Sequence, residues 1–408
     1  MLLFFLLPIY GYADSYLSPK ERNVRLHVVV KSGDLQAVEA LLNKPEVDVN
    51  SKDKDGKTPL YIAAKEGYIA VVKKLLATKG IQLNLKCENG CTPLYIAAQE
   101  GHTEVVKALL EVNEVKVNEK ATDNFTPLHI AAQEGHTEVV KALLEDKNIN
   151  VNEKAIDNCT PLHIAAYSGH TEMVKALLED KRINVNEKTI DNCTPLHLAA
   201  QNGHTEVVKA LLEHIKIKIN EKAINNCTPL HLAAQNGHTE VVKALLEDKN
   251  INVNEKTIDN CTPLHLAAQN GHTEVVKVLL GVKEINANEK AKYNFTPLHL
   301  AAKNGHTEVV KALLEDKNIN VNEKTKNKST PLHIAAYYGR TEVVKALLEH
   351  PNILVNEKNR YDDTPLDLAR KNHNEKVVKL LKKTCIVDRK NRTNFYKFFF
   401  RFISPLAY

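Results

Sequence analysis

The chain has few of the features on which catalysis, membrane insertion or nucleic-acid binding is built. It has no Gly-rich phosphate loop, no nucleophile elbow and no His-Glu-X-X-His motif. No set of side chains therefore reads as an active site, and no cofactor or metal is called for. The longest apolar run, Met1 to Leu7, is too short to span a bilayer. Charge of one sign is also missing from the body of the chain. The net charge is +5, but Lys382, Lys383, Arg389, Lys390, Arg392, Lys397 and Arg401 sit in the tail against Asp388 alone. Removing that +6 leaves about −1 for everything before it. A near-neutral body has no electrostatic footprint for nucleic acid, which argues against it as a partner. Tryptophan is absent and aromatics are only 5% of the chain, so an exposed tyrosine stands out as an interface anchor.

What the chain does have is one unit, written again and again. Thr194-Pro195-Leu196-His197-Leu198-Ala199-Ala200-Gln201-Asn202-Gly203-His204-Thr205-Glu206-Val207-Val208-Lys209-Ala210-Leu211-Leu212-Glu213 is one copy. Thr-Pro-Leu recurs at Thr58, Thr92, Thr126, Thr160, Thr194, Thr228, Thr262, Thr296, Thr330 and Thr364, a period of 34 without a slip. An eroded copy precedes them at Leu26 to Leu35. Threonine is a good N-cap, and proline suits the first helical position. Gly203 can take φ > 0 and stop the first helix. Thr205 is expected to cap a second helix, with Glu206 in its first turn. Val207, Val208, Leu211 and Leu212 form its buried stripe. Helices of about two turns cannot stand alone, so the unit makes sense only stacked in an array.

A 34-residue helical period also fits tetratricopeptide repeats. Those carry Trp, Gly, Tyr and Phe at helix contacts and end with proline, whereas here proline opens the first helix and a polar turn follows the second. The unit TPLHLAAQNGHTEVVKALLE instead resembles the ankyrin repeat, over roughly residues 20 to 384. That resemblance implies an all-α fold: an ankyrin-repeat solenoid of paired short antiparallel helices with β-hairpin-like turns. Residues 20–52 are then a degenerate N-terminal capping repeat, 53–357 nine repeats, and 358–384 a C-terminal capping repeat. An apolar segment, 1–19, precedes them, and a basic-aromatic tail, 385–408, follows.

Two departures from the family pattern stand out. Ankyrin units usually run 33 residues, and the extra residue falls in the connector, as in Glu145 to Asn152. The family's glycine after the second helix is missing there, and Asn148 is the expected stand-in. At the hairpin tips, Gly56 and Gly90 give way to Asn124, Asn158, Asn192, Asn226, Asn260 and Asn294. Asparagine is the next-best residue for a left-handed position, so the turn is expected to survive. Val185 to Lys209 is identical to Val253 to Lys277, two units on, as if the array had grown in blocks of two.

Cys91, Cys159, Cys193, Cys227 and Cys261 share one slot. Neighbours there lie about one repeat apart, beyond the ~7 Å Cα separation a disulfide spans, and the same spacing rules out a shared metal. Cys87 and Cys91 are the pair expected to meet across one hairpin. The histidines after Thr-Pro-Leu (His129, His163, His197, His231, His265, His299, His333) and those after glycine (His102 to His306) look like a ligand ladder. The family resemblance implies instead that they bond backbone at repeat junctions.

Residues 1–13 resemble a signal peptide with a cleavage site after Ala13; a mis-assigned start, or an arm packed on the first repeat, is the alternative. Unpaired thiols suit a reducing compartment. Asn124, Asn158, Asn192, Asn226, Asn260, Asn294 and Asn327 begin glycosylation sequons at or beside the tips, which argues against ordinary eukaryotic secretion. Heavy use of Lys, Asn and Ile resembles arrays of host-associated intracellular bacteria. Two locations stay open: export through the N-terminal segment, to the host cytosol for a bacterial effector, or the cytoplasm. The tail interleaves Phe and Tyr with Lys and Arg, which suits a membrane surface, a partner groove or a secretion signal; a disordered tail or an out-of-frame extension is the alternative.

Recognition remains, and it belongs to positions that vary within a constant frame. Before the glycine stand Tyr167, Lys303, Tyr337 and Tyr338, on an edge that by resemblance lines the concave face. At the tips, acidic residues give way to Tyr293, Lys326, Arg360 and Tyr361. These eight are the candidate partner-binding residues of a non-enzymatic protein-interaction scaffold, with drift on a solvated edge as the competing account. The alternative function is a membrane-tethered structural array, contacting lipid through the N-terminal segment or the tail.

Overall fold

A computed structural model describes residues 17–383, and in them the repeat becomes a pair of short helices. Twenty-two α-helices, α1 to α22 in chain order, run from Pro19 to residue 383, with no strand among the described residues. The expected leader, residues 1–13, and the tail, 385–408, lie outside the described residues.

One repeat shows why the helices form. Thr126 is extended (φ −92°, ψ 169°), its hydroxyl accepts from the His129 amide, and Pro127 opens α7, Pro127–Glu134. Gly135 follows at φ 81° and ends the helix. The next helix, α8, is Thr137–Leu144, and here one expectation fails. The N-cap of α8 is His136, with no side-chain cap bond, and the threonine is already the first helical residue. The amide of Thr137 donates to the Gly135 carbonyl at 3.0 Å, so the turn places this N-terminus without a capping side chain. Helix α12, Thr205–Leu212, likewise starts at its threonine rather than after it.

The chain divides into two units, Met1–Ala199 with Lys209–Ile217, and Ala200–Val208 with Lys218–Tyr408. In the first, first helices stack on first helices (α3 Pro59–Glu66, α5 Pro93–Gln99, α7, α9 Pro161–Ser168), and second helices stack in a parallel row. The second repeats the scheme with α13 Pro229–Asn236, α15 Pro263–Asn270, α17 Pro297–Asn304, α19 Pro331–Tyr337 and α21 Pro365–Lys371. Between the rows lies the core. Leu128, Ala131, Ala132, Val140 and Leu143 have no exposed surface, nor do their equivalents Leu298, Ala301, Ala302, Val310 and Leu313. Truncating one such leucine to alanine costs about 2–5 kcal/mol.

The connector after the second helix does more than turn. Its valine is buried, as at Val151 and Val321, and the asparagine beside it bridges to the next repeat. Asn288 Nδ2 donates to the Asn318 carbonyl and its Oδ1 accepts from the Asn320 amide, both at 2.7 Å. Asn118, Asn152, Asn254 and Asn322 do the same one repeat apart. The following Lys and Glu join repeats by ion pairs, such as Lys290 to Glu323 at 2.7 Å. The expected left-handed Asn148 is absent: positive φ occurs at this slot only in Glu46 and Gly80. Instead the Asp146 carboxylate accepts from the Asn148 amide at 2.7 Å, and this side-chain turn does the work of the missing glycine.

Candidate functional site

The hairpin tips keep the left-handed residue that the asparagines promised. Gly56, Gly90, Asn124, Asn158, Asn192, Asn226, Asn260 and Asn294 all have positive φ, and so do Lys328 and Asp362 at the same slot. Successive tips are linked by backbone. The amide of Lys292 donates to the Asp259 carbonyl, Lys326 to Tyr293, and Arg360 to Asn327, at 2.8, 2.8 and 2.9 Å.

From Ala155 to Ser329 the six tips take two forms, set by the residue that opens each; the earlier alanine tip, at Ala121, turns only Asn124 left-handed and has the Asp123 carboxylate accept from the Phe125 amide at 2.9 Å. In threonine tips the hydroxyls of Thr189, Thr257 and Thr325 accept from the amides of Cys193, Cys261 and Ser329 at 3.1 Å. Only one residue per tip is then left-handed: Asn192, Asn260 or Lys328. In the tips opened by Ala155, Ala223 and Ala291 that acceptor is missing. Two consecutive residues turn left-handed instead: Asp157 and Asn158, Asn225 and Asn226, Tyr293 and Asn294. Asp and Asn tolerate this, but Tyr293 at φ 60° carries a cost of about 1 kcal/mol.

The histidine pattern is structural. The Thr126 amide and hydroxyl meet His129 Nδ1 at 3.3 and 2.7 Å, and His129 Nε2 meets the Cys159 carbonyl at 3.2 Å. An amide only donates and a carbonyl only accepts, so Nδ1 is bare and Nε2 carries the proton. His163, His231, His265, His299 and His333 repeat this geometry. Burial lowers His129, His163, His231, His265 and His299 to about 4, with the carbonyl bonds opposing it only in part. The second series also bonds backbone: Nε2 of His102, His272 and His306 donates to the carbonyls of Lys65, Gln235 and Gln269. No group of three or more His, Cys, Asp or Glu able to hold a metal occurs among the described residues. Cys87 and Cys91 are free thiols on one hairpin, and burial and the neighbouring Cys87 push Cys91 up to about 12.

The candidate partner residues of the second unit fall into two groups. One is at the C-terminal ends of α17 and α19. There the Tyr337 and Tyr338 rings meet edge to face at 5.0 Å, and the Lys303 ammonium lies 6.0 Å from the Tyr338 ring centre. Both tyrosines are exposed, at 46% and 44%. Arg340 belongs to this group and was not anticipated. It stands where the second histidine series would place an imidazole, and its Nε donates to the Lys303 carbonyl at 3.0 Å. The break in that series was the available signal.

The other group is on the tips. Tyr293 and Tyr361 are 61% and 68% exposed, and Lys326 and Arg360 are exposed beside them. Lys292 lies 5.9 Å from the Tyr293 ring centre and pairs with Asp259 at 2.9 Å, a contact that raises the lysine pKa. Tyr167 is exposed at the end of α9, in the first unit, and is not gathered with the other seven.

A family model described as "Ankyrin repeats (3 copies)" matches residues 26–121, 112–189, 181–257, 249–325 and 318–391. No curated protein matches the chain.

Proposed function

The chain belongs to the ankyrin repeat family, whose repeats serve in general as protein-interaction modules, and from that premise we propose a non-enzymatic scaffold. It holds a protein partner against the tips and first-helix ends of its C-terminal repeats. The observation that carries this is a division of labour. The residues that recur cap, turn, bridge or fill the core, whereas Lys303, Tyr337, Tyr338, Tyr293, Lys326, Arg360 and Tyr361 break the pattern and put aromatic and cationic groups on the surface. Exposed tyrosine and arginine are the residues through which interfaces draw most of their affinity. Residues 53–357 supply the nine regular repeats, between caps at 20–52 and 358–384.

The test uses a partner captured by the full chain. Replacing Tyr337 and Tyr338 together with alanine should weaken binding by about tenfold or more, the loss of about 1.4 kcal/mol or above. Unchanged affinity would sink the reading.

We further propose that the scaffold acts as a bacterial effector, exported into a host through residues 1–13. The reading held against it is a membrane-tethered array, favoured by the apolar residues 1–7 and the aromatic-basic tail. Fractionating cells that express the full chain, and cells that express residues 20–384, separates the two. Membrane retention that disappears with the ends supports the tether, and soluble full chain supports the effector.

A further inference from the structure

The tip row of the second unit has a side-chain register of its own, and it identifies the chemistry of a partner. The second slot of each tip reads Ile224, Ile258, Lys292, Lys326, Arg360, one residue per repeat. The two isoleucines are 54% and 62% exposed, and the three cations are exposed as well. Their backbones are tied tip to tip, Ile258 to Asn225, Lys292 to Asp259, Lys326 to Tyr293 and Arg360 to Asn327. The five side chains therefore advance in equal steps rather than scattering.

The charges along this row are unevenly answered. Lys292 is paired with Asp259. Lys326, Arg360 and the neighbouring Lys328 make no ion pair among the described residues, whereas the adjacent acids are engaged: Asp362 with Lys358 at 3.7 Å and Asp363 with Lys371 at 2.6 Å. Tyr293 and Tyr361 stand beside the cations in the third tip slot.

We propose that this row binds an extended, acidic segment of a partner protein, in register with the repeats. Helices pack about 8–10 Å apart and an extended chain of the polyproline-II kind advances about 3.1 Å per residue with three residues per turn, so one repeat matches about three residues and every third side chain faces the row. The segment carries carboxylates at every third position opposite Arg360, Lys326 and Lys292, and continues with apolar side chains at the same interval over Ile258 and Ile224. A nucleic acid or a lipid surface fits less well. The row offers three cationic tips and then two isoleucines, and an apolar continuation has nothing to meet on a phosphate chain. The proposal rests on the reading of the C-terminal repeats as the partner edge.

The experiment is fluorescence anisotropy with the full chain and synthetic peptides of about thirteen residues, four steps of about three. One peptide has glutamate at three successive third positions followed by leucine at the next two, tried in both chain directions. Its control has the same composition with the glutamates adjacent. The expected result is that the spaced peptide, in one direction, binds about tenfold tighter than the control. Lys326→Glu with Arg360→Glu removes that advantage, and a peptide with lysine in place of glutamate regains it on the double variant. The tail's cations meet both peptides alike and cancel in the comparison. The altered side chains make no bond within the fold, and an unchanged circular-dichroism melt confirms that the variant is folded.

Equal binding of spaced and clustered peptides, or indifference to the charge reversal, overturns the proposal. So does a single-stranded DNA oligomer or a phosphatidylserine vesicle that binds more tightly than the peptide and is lost in the double variant. The captured partner separates the two readings. If Tyr337→Ala with Tyr338→Ala weakens it and the charge reversal does not, the scaffold stands and the acidic segment falls. If neither does, both fall.

Discussion

Lowering the pH from 7 to 5 should weaken the array through its buried histidines, before any carboxylate is titrated. His129, His163, His231, His265 and His299 sit at about 4 in the folded chain, because burial penalises the imidazolium. In the unfolded chain they return to about 6.5. The folded pKa is the lower of the two, so below pH 6.5 the unfolded chain binds more protons. The stabilisation is complete above about 6.5, declines as the pH falls, and is gone below about 4. At pH 5 each histidine has given up about 2 kcal/mol, from about 1.4 kcal/mol per pKa unit. The geometry states the cause: an added proton must sit on Nδ1, which already faces the Thr126 amide N–H at 3.3 Å in the first of these sites. Urea midpoints measured between pH 7.5 and 5 should fall steadily. In His299→Gln the decline should be shallower by about one proton's worth of slope. Imidazole nitrogen shifts by NMR give the direct readout. Five imidazoles should hold the Nε2–H tautomer down to pH 5, and titration of these residues near 6.5, or an Nδ1–H tautomer, would refute the reasoning.

Three further outcomes follow from single contacts. Ala291→Thr supplies the hydroxyl that threonine tips use, so Tyr293 should leave the left-handed region and stability should rise by about 1 kcal/mol; a crystal structure with Tyr293 still near φ 60° would contradict this. Asn288→Ala removes two bonds to the following connector and leaves an amide and a carbonyl short of partners. It should cost about 1–3 kcal/mol and speed amide exchange at Asn320, and unchanged exchange there would count against the bridge. At Gly271 a Cβ would stand 2.7 Å from His306 Nδ1, with φ at +82°. Gly271→Ala should therefore cost more than the ~1 kcal/mol of a strained backbone alone, read as a fall in the urea midpoint. An alanine variant as stable as the parent would show that the ring moves aside freely.

The parts of the fold legible in the sequence are those where one residue does one local job. Thr126 before Pro127, Gly135 after α7 and the Val139–Leu143 stripe each announce themselves. What stayed hidden depends on a neighbour 30 or more residues away. Asn288 is an ordinary polar loop residue until Asn318 and Asn320 lie beside it. Two local readings failed because the backbone had another route. Thr205 was expected to cap α12, yet the glycine turn already places that N-terminus. Asn148 was expected to turn left-handed, yet the Asp146 side chain holds the turn. At the candidate edge, Tyr337, Tyr338 and Lys303 were legible as departures and do meet. Arg340 was legible only as an absence, the one place where the second histidine series has an arginine that still bonds the same backbone carbonyl.

The tips explain how such an array can change what it binds without changing how it stands. The second slot of each tip contributes to the fold through its amide, which donates to the preceding tip whether the residue is Glu88, Thr122, Ile190, Ile258, Lys292, Lys326 or Arg360. Its side chain is exposed in each of these, so exchanging isoleucine for lysine there costs the fold nothing that depends on core packing. The residue four before it has the opposite character. Asn254 and Asn288 bridge to the next repeat with both ends of the amide, and no other side chain of that length both donates and accepts in that way. The two kinds of position lie four residues apart, Asn288 before Lys292 and Asn322 before Lys326, yet one is closed to substitution and the other open. Tyr293 marks the limit of that freedom, because in the tips opened by Ala155, Ala223 and Ala291 the residue after this slot also bends left-handed. A side chain as large as tyrosine there is a cost to the frame that only a use outside it would balance, which is why the tip of that repeat is the first place to look for a partner.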